Sequence, residues 1–483
     1  MAVKLFNSLF SREVTMLDST KLQCAVYGDP YSGDKEAILC DDGELSSSIE
    51  IFGHGKPITP NELTDKVIYM SNKLNTFFKK KDQRFIATYY NDPDDHDYVI
   101  KAKQTYDINC DAVKLELKDI HQADLRKIQG LTRTDRFIIT VETGKGSIEQ
   151  TDYDRGENTK ASKVNEILKT LGLKSKYSTR MTKPQNGQNP MHFNATLFHA
   201  HQDSVTSVEE MISATGSRCE SLGAKDTLRF MHKIFDRSSG INWSPITTPQ
   251  SEAEIEADIE RQMKIEELLP LTERMGRASH FGRAGDGTET YKKDVDIADL
   301  LMPPLVTQIV GDDVEILDDG IMSLNGKFYK AMYIDVPQQK LETFASFIKT
   351  ASHIPFVMSW HLDANEKEIK GALDRGSMLG MVGLFSQSCK DIQNATFLLK
   401  SYRKDDIKSM AMYRLAVLTW TDTQENCLRQ ANSLRELISR WGTSQIVRTE
   451  KANPVQSMLE ILPSIAKPRI NRAIPCLVEE ALV

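Results

Sequence analysis

The residue spacing that most suggests chemistry is His199-Ala200-His201-Gln202-Asp203. Alternate residues of an extended segment point to the same side, so two imidazoles and the following carboxylate could bind zinc or iron. A binuclear hydrolase would need a further ligand after the aspartate, where Ser204 stands instead. A metal-dependent hydrolase using His199, His201 and Asp203 is therefore the alternative function. The competing interpretation is a helix start capped by Asp203, with the histidines at the surface.

A second stretch, Gly144-Lys145-Gly146-Ser147, superficially resembles a phosphate-binding loop. A true P-loop has the spacing GxxxxGK[ST], because four intervening residues wrap the backbone amides around the phosphates. That spacing occurs nowhere in the sequence, and a hairpin after a strand at residues 137–141 is the interpretation we prefer. No GxSxG elbow and no Cys/His nucleophile pattern occurs either. The sequence thus predicts no catalytic residue and no cofactor-binding residue, and no metal ligand beyond the alternative named above.

Composition bounds the class of protein. The chain has 483 residues, of which 40% are hydrophobic and 27% charged, as in a globular protein with more than one core. A net charge of -7 and a pI near 5.9 argue against binding nucleic acid mainly by phosphate neutralisation, so no direct nucleic-acid contact is expected. The seven cysteines contain no CxxC pair, which favours a reducing compartment over a disulfide framework. No stretch reaches the roughly 18 to 20 apolar residues of a membrane span.

The elements are clearest in residues 410–450, which read as strand, helix, strand. Alternating apolar residues around Tyr413 predict the first strand. Thr421 and Gln424 could form a capping box, with Asp422 and Glu425 as a second register. The following residues recur at helical spacing and predict one buried stripe: Cys427, Ala431, Leu434, Ile438 and Trp441.

The same order of elements recurs at residues 38–90 and 316–362. Each stretch contains an Asp-Asp-Gly turn, at 41–43 and 318–320, with an offset of 277 residues. Thr59-Pro60-Asn61-Glu62 predicts a helix start, followed by a stripe at Leu63, Val67, Met70, Leu74 and Phe77. We interpret this recurrence as an internal duplication, and the competing interpretation is convergence on common turn chemistry.

The predicted fold class is α+β, with duplicated ferredoxin-like β-α-β modules and an intervening helical region. Residues 1–150 form the first module, 151–300 a mainly helical region with polar loops, and 301–462 the second module pair. Residues 463–483 form a proline-punctuated tail. Within the middle region, helices are expected at 164–171, 204–222, 224–237 and 251–275, and a polar loop at 276–293.

The run 413–466 resembles the N-terminal region of large type IV secretion and conjugation ATPases of the IcmB/DotO/TraU kind. The resemblance is carried by the Arg414 strand ending in Thr419-Trp420, the helix end at Leu434 to Gly442, and the Asn453-Pro454 turn. Residues 39–92 and 316–363 are similar to the same region. The likeness extends over most of the chain and is weakest at residues 153–194 and 239–293.

This resemblance implies an assembly and docking region on the cytoplasmic face of a bacterial inner membrane. The implied partners are other inner-membrane components of the secretion system, with homo-oligomers formed through the full-length protein and peripheral membrane association through partners. Family members carry ATP and Mg²⁺ in a following RecA-like domain, and this sequence stops where that domain should begin. No Walker A lysine, Walker B carboxylate or arginine finger can be carried over, so no ATPase activity is expected of the chain as given. It is either a fragment or a stand-alone relative.

Overall fold

The computed structural model describes residues 22–27, 36–40, 44–54, 57–112, 118–129, 134–149, 195–236, 243–245, 305–311, 314–336, 344–378, 387–404, 409–441, 446–449, 451, 453–462 and 473–478. The predicted helices at 164–171 and 251–275 and the predicted loop at 276–293 lie outside the described residues. Most of the predicted tail also lies outside them, apart from 473–478.

The described strands form one antiparallel sheet, and helices connect many of them. The strands are β1 (Leu22–Tyr27), β2 (Ala37–Cys40), β3 (Leu45–His54), β4 (Gln83–Asp92), β5 (Thr134–Thr143), β6 (Ser217–Leu222), β7 (Glu315–Ile316), β8 (Met322–Leu324), β9 (Lys327–Val336), β10 (Phe356–Asp363), β11 (Met410–Thr421), β12 (Ile446–Thr449) and β13 (Ile474–Leu477). The helices are α1 (Pro60–Phe77), α2 (Asp97–Ala112), α3 (Lys118–Gln129), α4 (Ala195–Ala214), α5 (Ala224–Phe235), α6 (Leu305–Val310), α7 (Phe344–Ala351), α8 (Glu366–Met378), α9 (Gln387–Lys404), α10 (Gln424–Arg440) and α11 (Pro454–Leu459).

The sheet has two halves that meet where β4 pairs with β10, a boundary that we call the seam. In the first half the strands lie in the order β6-β3-β5-β4, and in the second half in the order β12-β9-β11-β10. The seam runs from Arg84 opposite Asp363 to Asn91 opposite Phe356. The α+β class is therefore confirmed, and the strands of both halves belong to one continuous antiparallel sheet.

Successive residues of a strand point to opposite faces of a sheet. In this sheet helices pack against both faces. On one face, α1 and α4 pack on the first half, and α7 and α10 pack on the second. On the other face, α5, α6 and α11 share a single core that reaches across the seam. Tyr89 belongs to the first face and Tyr90 to the second, where Tyr90 stacks on Trp420 at 5.9 Å between ring centroids.

The elements predicted in residues 410–450 are confirmed as β11, α10 and β12, and the predicted stripe of α10 is buried. The predicted capping box at its start is absent. Thr423 is the N-cap residue and makes no side-chain cap bond, while the Thr421 hydroxyl donates to the Thr423 carbonyl. The box at Thr59 and Glu62 does form, with both reciprocal bonds present. Leu63 was predicted to be buried and is 48% exposed, because the first turns of α1 extend past the core.

The two Asp-Asp-Gly turns do not occupy the same place in the two halves. Residues 41–43 lie outside the described residues, but they fall in the chain between β2 and β3. Asp318–Gly320 instead connects β7 to β8, and Asn325-Gly326 makes the turn into β9. The offset of 277 residues therefore relates the chain segment between β2 and β3 to the connection between β7 and β8.

The region predicted as mainly helical also contributes to the sheet. The helix predicted at 224–237 is confirmed as α5, whereas the one predicted at 204–222 is wrong in its last part, because α4 ends at Ala214. Residues Ser217–Leu222 instead form β6, which pairs with β3 from Ser48 to His54. This pairing attaches residues 195–236 to the first half. Among the helices that the structure describes, none has both the length and the apolar character that a membrane crossing requires.

Candidate functional site

The largest cluster of buried charges lies at one end of the seam and is centred on Arg84. Glu142 of β5 and Asp363 of β10 stand directly opposite Arg84 on its two neighbouring strands. The Arg84 Nη1 donates to Glu142 Oε2, and Nε donates to Asp363 Oδ2 at 3.1 Å. Glu44, next to the start of β3, accepts from Nη1 at 3.4 Å. One guanidinium thus joins three carboxylates from both halves of the sheet.

The protonation states of this cluster follow from burial and charge. Burial alone would lower the pKa of Arg84, but the carboxylates of Asp363, Glu142 and Glu44 raise it well above its ordinary value. Arg84 is therefore a permanent cation and cannot act as a general acid near neutral pH. The three carboxylates accept hydrogen bonds from the N–H groups of Arg84, so their negative charge holds this side chain in place.

A second buried pair adjoins this cluster along the same strands. Arg414 of β11 stands opposite His361 of β10, and its Nη2 donates to His361 Nδ1 at 3.2 Å. Burial and the positive charge of Arg414 hold the pKa of His361 well below its ordinary value. Burial also lowers the pKa of Arg414, against the opposing effect of Glu460. The neutral imidazole of His361 accepts a hydrogen bond from the Arg414 guanidinium. This bond orients Arg414, and neither residue changes its charge.

A small cleft opens beside Arg84. Besides Arg84 itself, it is lined by four carboxylates and one amide: Glu44, Asp82, Glu142, Asp363 and Asn365. Asp363 Oδ1 accepts from the Asn365 backbone amide at 3.1 Å, so both oxygens of this carboxylate have donors. Within the part of the chain that the structure describes, no group of three or more His, Cys, Asp or Glu side chains could hold a metal ion. The cleft is polar, but its carboxylates already bind Arg84.

The structure does not bring His199, His201 and Asp203 together. All three lie inside α4, a 20-residue helix, where positions two apart differ by about 200° around the axis. His199 and Asp203 are exposed, whereas His201 is buried. The extended segment that would align the two imidazoles is absent, and Asp203 is not an N-cap residue.

His201 instead belongs to a buried polar chain beneath α4. Its Nε2 lies 2.9 Å from Ser47 Oγ, and its Nδ1 lies 2.9 Å from Thr143 Oγ1. The Thr143 hydroxyl donates in turn to Gln83 Oε1. Burial lowers the pKa of His201 to about 3, so this imidazole is neutral at physiological pH. It anchors α4 to β3 and β5.

The turn 144–147 follows β5, and its backbone amides already have a carboxylate and a carbonyl as acceptors. The Gly146 amide donates to Asp82 Oδ2 at 2.9 Å, and the Gly144 amide donates to the Asp82 carbonyl at 2.7 Å. A Cβ at Gly144 would lie 2.9 Å from the Asp82 Cβ, so this close approach requires glycine. The Gly144 and Gly146 amides are thus occupied by Asp82, and Lys145–Ser147 form a short 3₁₀ helix after β5.

The Arg84 and Arg414 clusters were not predicted from the sequence. The available signal was charge inside otherwise apolar strands, at Arg84 in QRFIATYYND and Arg414 in MAMYRLAVLTWT. A charged residue in a central strand needs a partner, because burial of an unpaired charge is unfavourable. The partner could not be identified locally, since Arg84 and Asp363 are 279 residues apart in the chain.

No protein-family model matches this sequence, and no curated protein is significantly similar to it.

Proposed function

We propose that this chain is the N-terminal assembly and docking region of a bacterial type IV secretion ATPase, acting at the cytoplasmic face of the inner membrane. We propose further that its fold is two fused ferredoxin-like modules. The shared order β6-β3-β5-β4 and β12-β9-β11-β10 supports the second point, since it corresponds to the fourth, first, third and second strands of a β-α-β-β-α-β unit. The resemblance of residues 413–466 to those ATPases supports the first.

The observation that carries a docking role is a helix pair inserted at the same point of each half. The first helix pair, α2 and α3, connects β4 to β5, and the second helix pair, α8 and α9, connects β10 to β11. Because β4 and β10 are antiparallel neighbours, the chain leaves the seam toward these pairs at opposite ends. Each pair is peripheral to the sheet and exposes large apolar side chains.

The first helix pair is the surface that we assign to protein contacts. On α2, Ile108 is 67% exposed, and on α3, Ile128 is 44% exposed. The charged groups around them include both signs, with Lys127 Nζ 3.9 Å from Asp124 Oδ1. Large apolar side chains with little net charge are typical of the centre of a protein interface. The partners would be the inner-membrane components of the secretion apparatus, and full-length copies would form a homo-oligomer.

The test uses a photo-crosslinking residue at position 108 of the tagged protein in the source organism. We expect crosslinks to an inner-membrane component of the secretion apparatus. The control probe stands at Lys225, an exposed residue of α5, and should give no such product. Crosslinks from position 108 to unrelated proteins alone would contradict the proposal.

A double variant, Ile108→Glu and Ile128→Glu, tests the same surface by activity. Introducing charge at two apolar anchors should weaken docking by at least about tenfold, or ~1.4 kcal/mol, and lower secretion or DNA transfer accordingly. The matched control, Ala102→Glu, adds charge at an exposed position of the same helix that lies about 120° around the axis from Ile108. Unchanged transfer in the double variant, or ATP turnover by the purified chain above background, would contradict a docking role without catalysis.

A further inference from the structure

The two helices of the second pair present one combined surface. They are antiparallel, with Gly376 of α8 against Thr396 of α9. The Lys400 Nζ lies 3.0 Å from Asp374 Oδ1, so an exposed ion pair crosses from one helix to the other. This ion pair shows that the stripe of α8 through Asp374 and the stripe of α9 through Lys400 border each other.

Helical spacing identifies the other members of this surface. On α8, Lys370 and Met378 lie four residues before and after Asp374, and on α9 Phe397 lies three residues before Lys400. Met378 is 66% exposed and Phe397 is 54% exposed. Lys367, three residues before Lys370, and Lys390, seven residues before Phe397, extend the two stripes, and both are exposed.

The charge of this surface is positive although the whole chain is acidic. Asp374 is neutralised by Lys400, and Glu366, four residues before Lys370, is neutralised by Lys81 at 2.8 Å. Lys367, Lys370 and Lys390 form no ion pair among the described residues. The chain as a whole carries a net charge of -7. A local cluster of cations around exposed Phe397 and Met378 is therefore complementary to a partner that is anionic and partly apolar.

The size of the surface favours a membrane over a protein. Helices of 13 and 18 residues are about 20 and 27 Å long at ~1.5 Å per residue. One face of such a pair offers on the order of 500 Å², less than the ~800 Å² that each partner contributes to a stable protein interface. Reversible binding to a lipid surface requires less contact area. Each basic residue contributes attraction to the anionic headgroups, and a few apolar side chains contribute by inserting at the acyl boundary.

We infer that the exposed face of the second helix pair binds the headgroups of an anionic lipid bilayer directly, with Phe397 and Met378 inserted at the acyl boundary. Lys367, Lys370 and Lys390 attract the anionic surface, and the Lys400–Asp374 pair remains in the hydrated headgroup layer. This inference rests on the surface itself and not on the assembly role, since it requires no protein partner.

The test is flotation of the full chain with vesicles of phosphatidylcholine and phosphatidylglycerol, compared with phosphatidylcholine alone. We expect binding only to the anionic vesicles, weakened by salt because the Debye length falls below about 10 Å above ~0.1 M. The triple variant Lys367→Glu, Lys370→Glu and Lys390→Glu should bind at least about 100-fold more weakly, at roughly fivefold for each lysine. Phe397→Ser with Met378→Ser should reduce binding without removing its salt dependence.

The matched control reverses three exposed cations elsewhere: Arg126, Lys225 and Lys349. It carries the same net charge as the triple variant and should float like the parent. Equal binding to neutral and anionic vesicles, or equal losses in the two triple variants, would overturn the inference. So would a triple variant that floats normally but loses a protein partner. Circular dichroism and thermal melting verify that each variant is folded, and an unfolded triple variant is replaced by the three single variants.

Discussion

Arg84 and Asp363 face each other across the seam, with Nε and Nη2 of the guanidinium both 3.1 Å from the same carboxylate oxygen. Their side chains are only 11% and 10% exposed, so water screens this interaction weakly. Arg84 also contacts Glu142 on the opposite side, and thereby links β5, β4 and β10. The two halves of the sheet are thus joined by a buried charge network as well as by backbone pairing.

Removing the Asp363 carboxylate should destabilise the protein strongly. In Asp363→Ala, Arg84 keeps Glu142 and Glu44 but loses the partner from the second half. We expect a loss of roughly 3 kcal/mol in the free energy of unfolding, the lower end of the range for one member of a buried pair. Urea unfolding monitored by circular dichroism measures it.

The matched control is Asp374→Ala, because Asp374 also pairs with a cation but its side chain is 50% exposed. Exposed ion pairs contribute less than about 1 kcal/mol, so this variant should unfold close to the parent midpoint. Similar losses in the two variants would show that the Arg84 network adds nothing beyond an ordinary surface pair.

His201 should make stability depend on pH. Its pKa is lowered to about 3 in the folded protein, below the ordinary value of 6.5, so only the unfolded chain binds this proton at intermediate pH. Stability therefore falls as the pH decreases below 6.5 and stops falling near the folded pKa. Between neutral pH and about pH 4 the contribution of His201 is a loss of about 3 kcal/mol.

In His201→Gln this proton-linked loss should disappear, although the variant is less stable at neutral pH because its contacts with Ser47 and Thr143 change. The control His199→Gln alters an exposed histidine of the same helix and should keep the parent slope. Urea unfolding free energies at a series of pH values give the slopes. Parallel curves for all three proteins would show that His201 is not the group responsible.

Local patterns were sufficient for the elements whose partners are near in sequence. The stripe of Cys427, Ala431, Leu434 and Ile438 defined α10, because helical periodicity requires only one buried side. The strand Met410–Thr421 was equally clear from its alternation. These local patterns do not identify which strands are neighbours in the sheet, since β4 and β10 pair across more than 260 residues.

The errors have the same physical origin. The two Asp-Asp-Gly sequences were matched because their chemistry is alike, yet they fall between different pairs of strands, β2 and β3 in one case and β7 and β8 in the other. His199 and His201 align only in an extended segment, and tertiary packing made residues 195–214 a helix. The Arg84 network was missed because a charged residue in a strand indicates that a partner exists without identifying it.

The two threonines at the starts of α1 and α10 should differ in their contribution to stability. The Thr59 hydroxyl accepts from the Glu62 amide at 3.3 Å, and Glu62 Oε2 accepts from the Thr59 amide at 2.9 Å. Thr423 makes no side-chain cap bond. We expect Thr59→Ala to cost about 1 kcal/mol and Thr423→Ala no more than a few tenths, measured by thermal melting. A larger loss in Thr423→Ala would reverse this assignment of the caps.

Two glycines of α8 should respond in opposite directions to alanine. A Cβ at Gly376 would lie 2.4 Å from the Thr396 Oγ1 and 3.2 Å from its methyl, so it would clash with the Thr396 side chain. Gly376→Ala should therefore separate α8 from α9 and destabilise the pair by about 1–3 kcal/mol. At Gly371 the nearest atom is the mobile Arg375 Nη1 at 3.6 Å, and Gly371→Ala should stabilise the helix by roughly 0.5–1 kcal/mol.

Hydrogen exchange of the α8 and α9 amides separates a local effect from global unfolding. In Gly376→Ala we expect faster exchange confined to these two helices, because the new methyl group displaces Thr396 and not the sheet. Adding Thr396→Ala should restore most of the protection, since it removes both atoms nearest to the new Cβ. Unchanged protection in Gly376→Ala would mean that the helices are not in contact at this point, and the combined surface around Lys400 and Asp374 would lose its geometric basis.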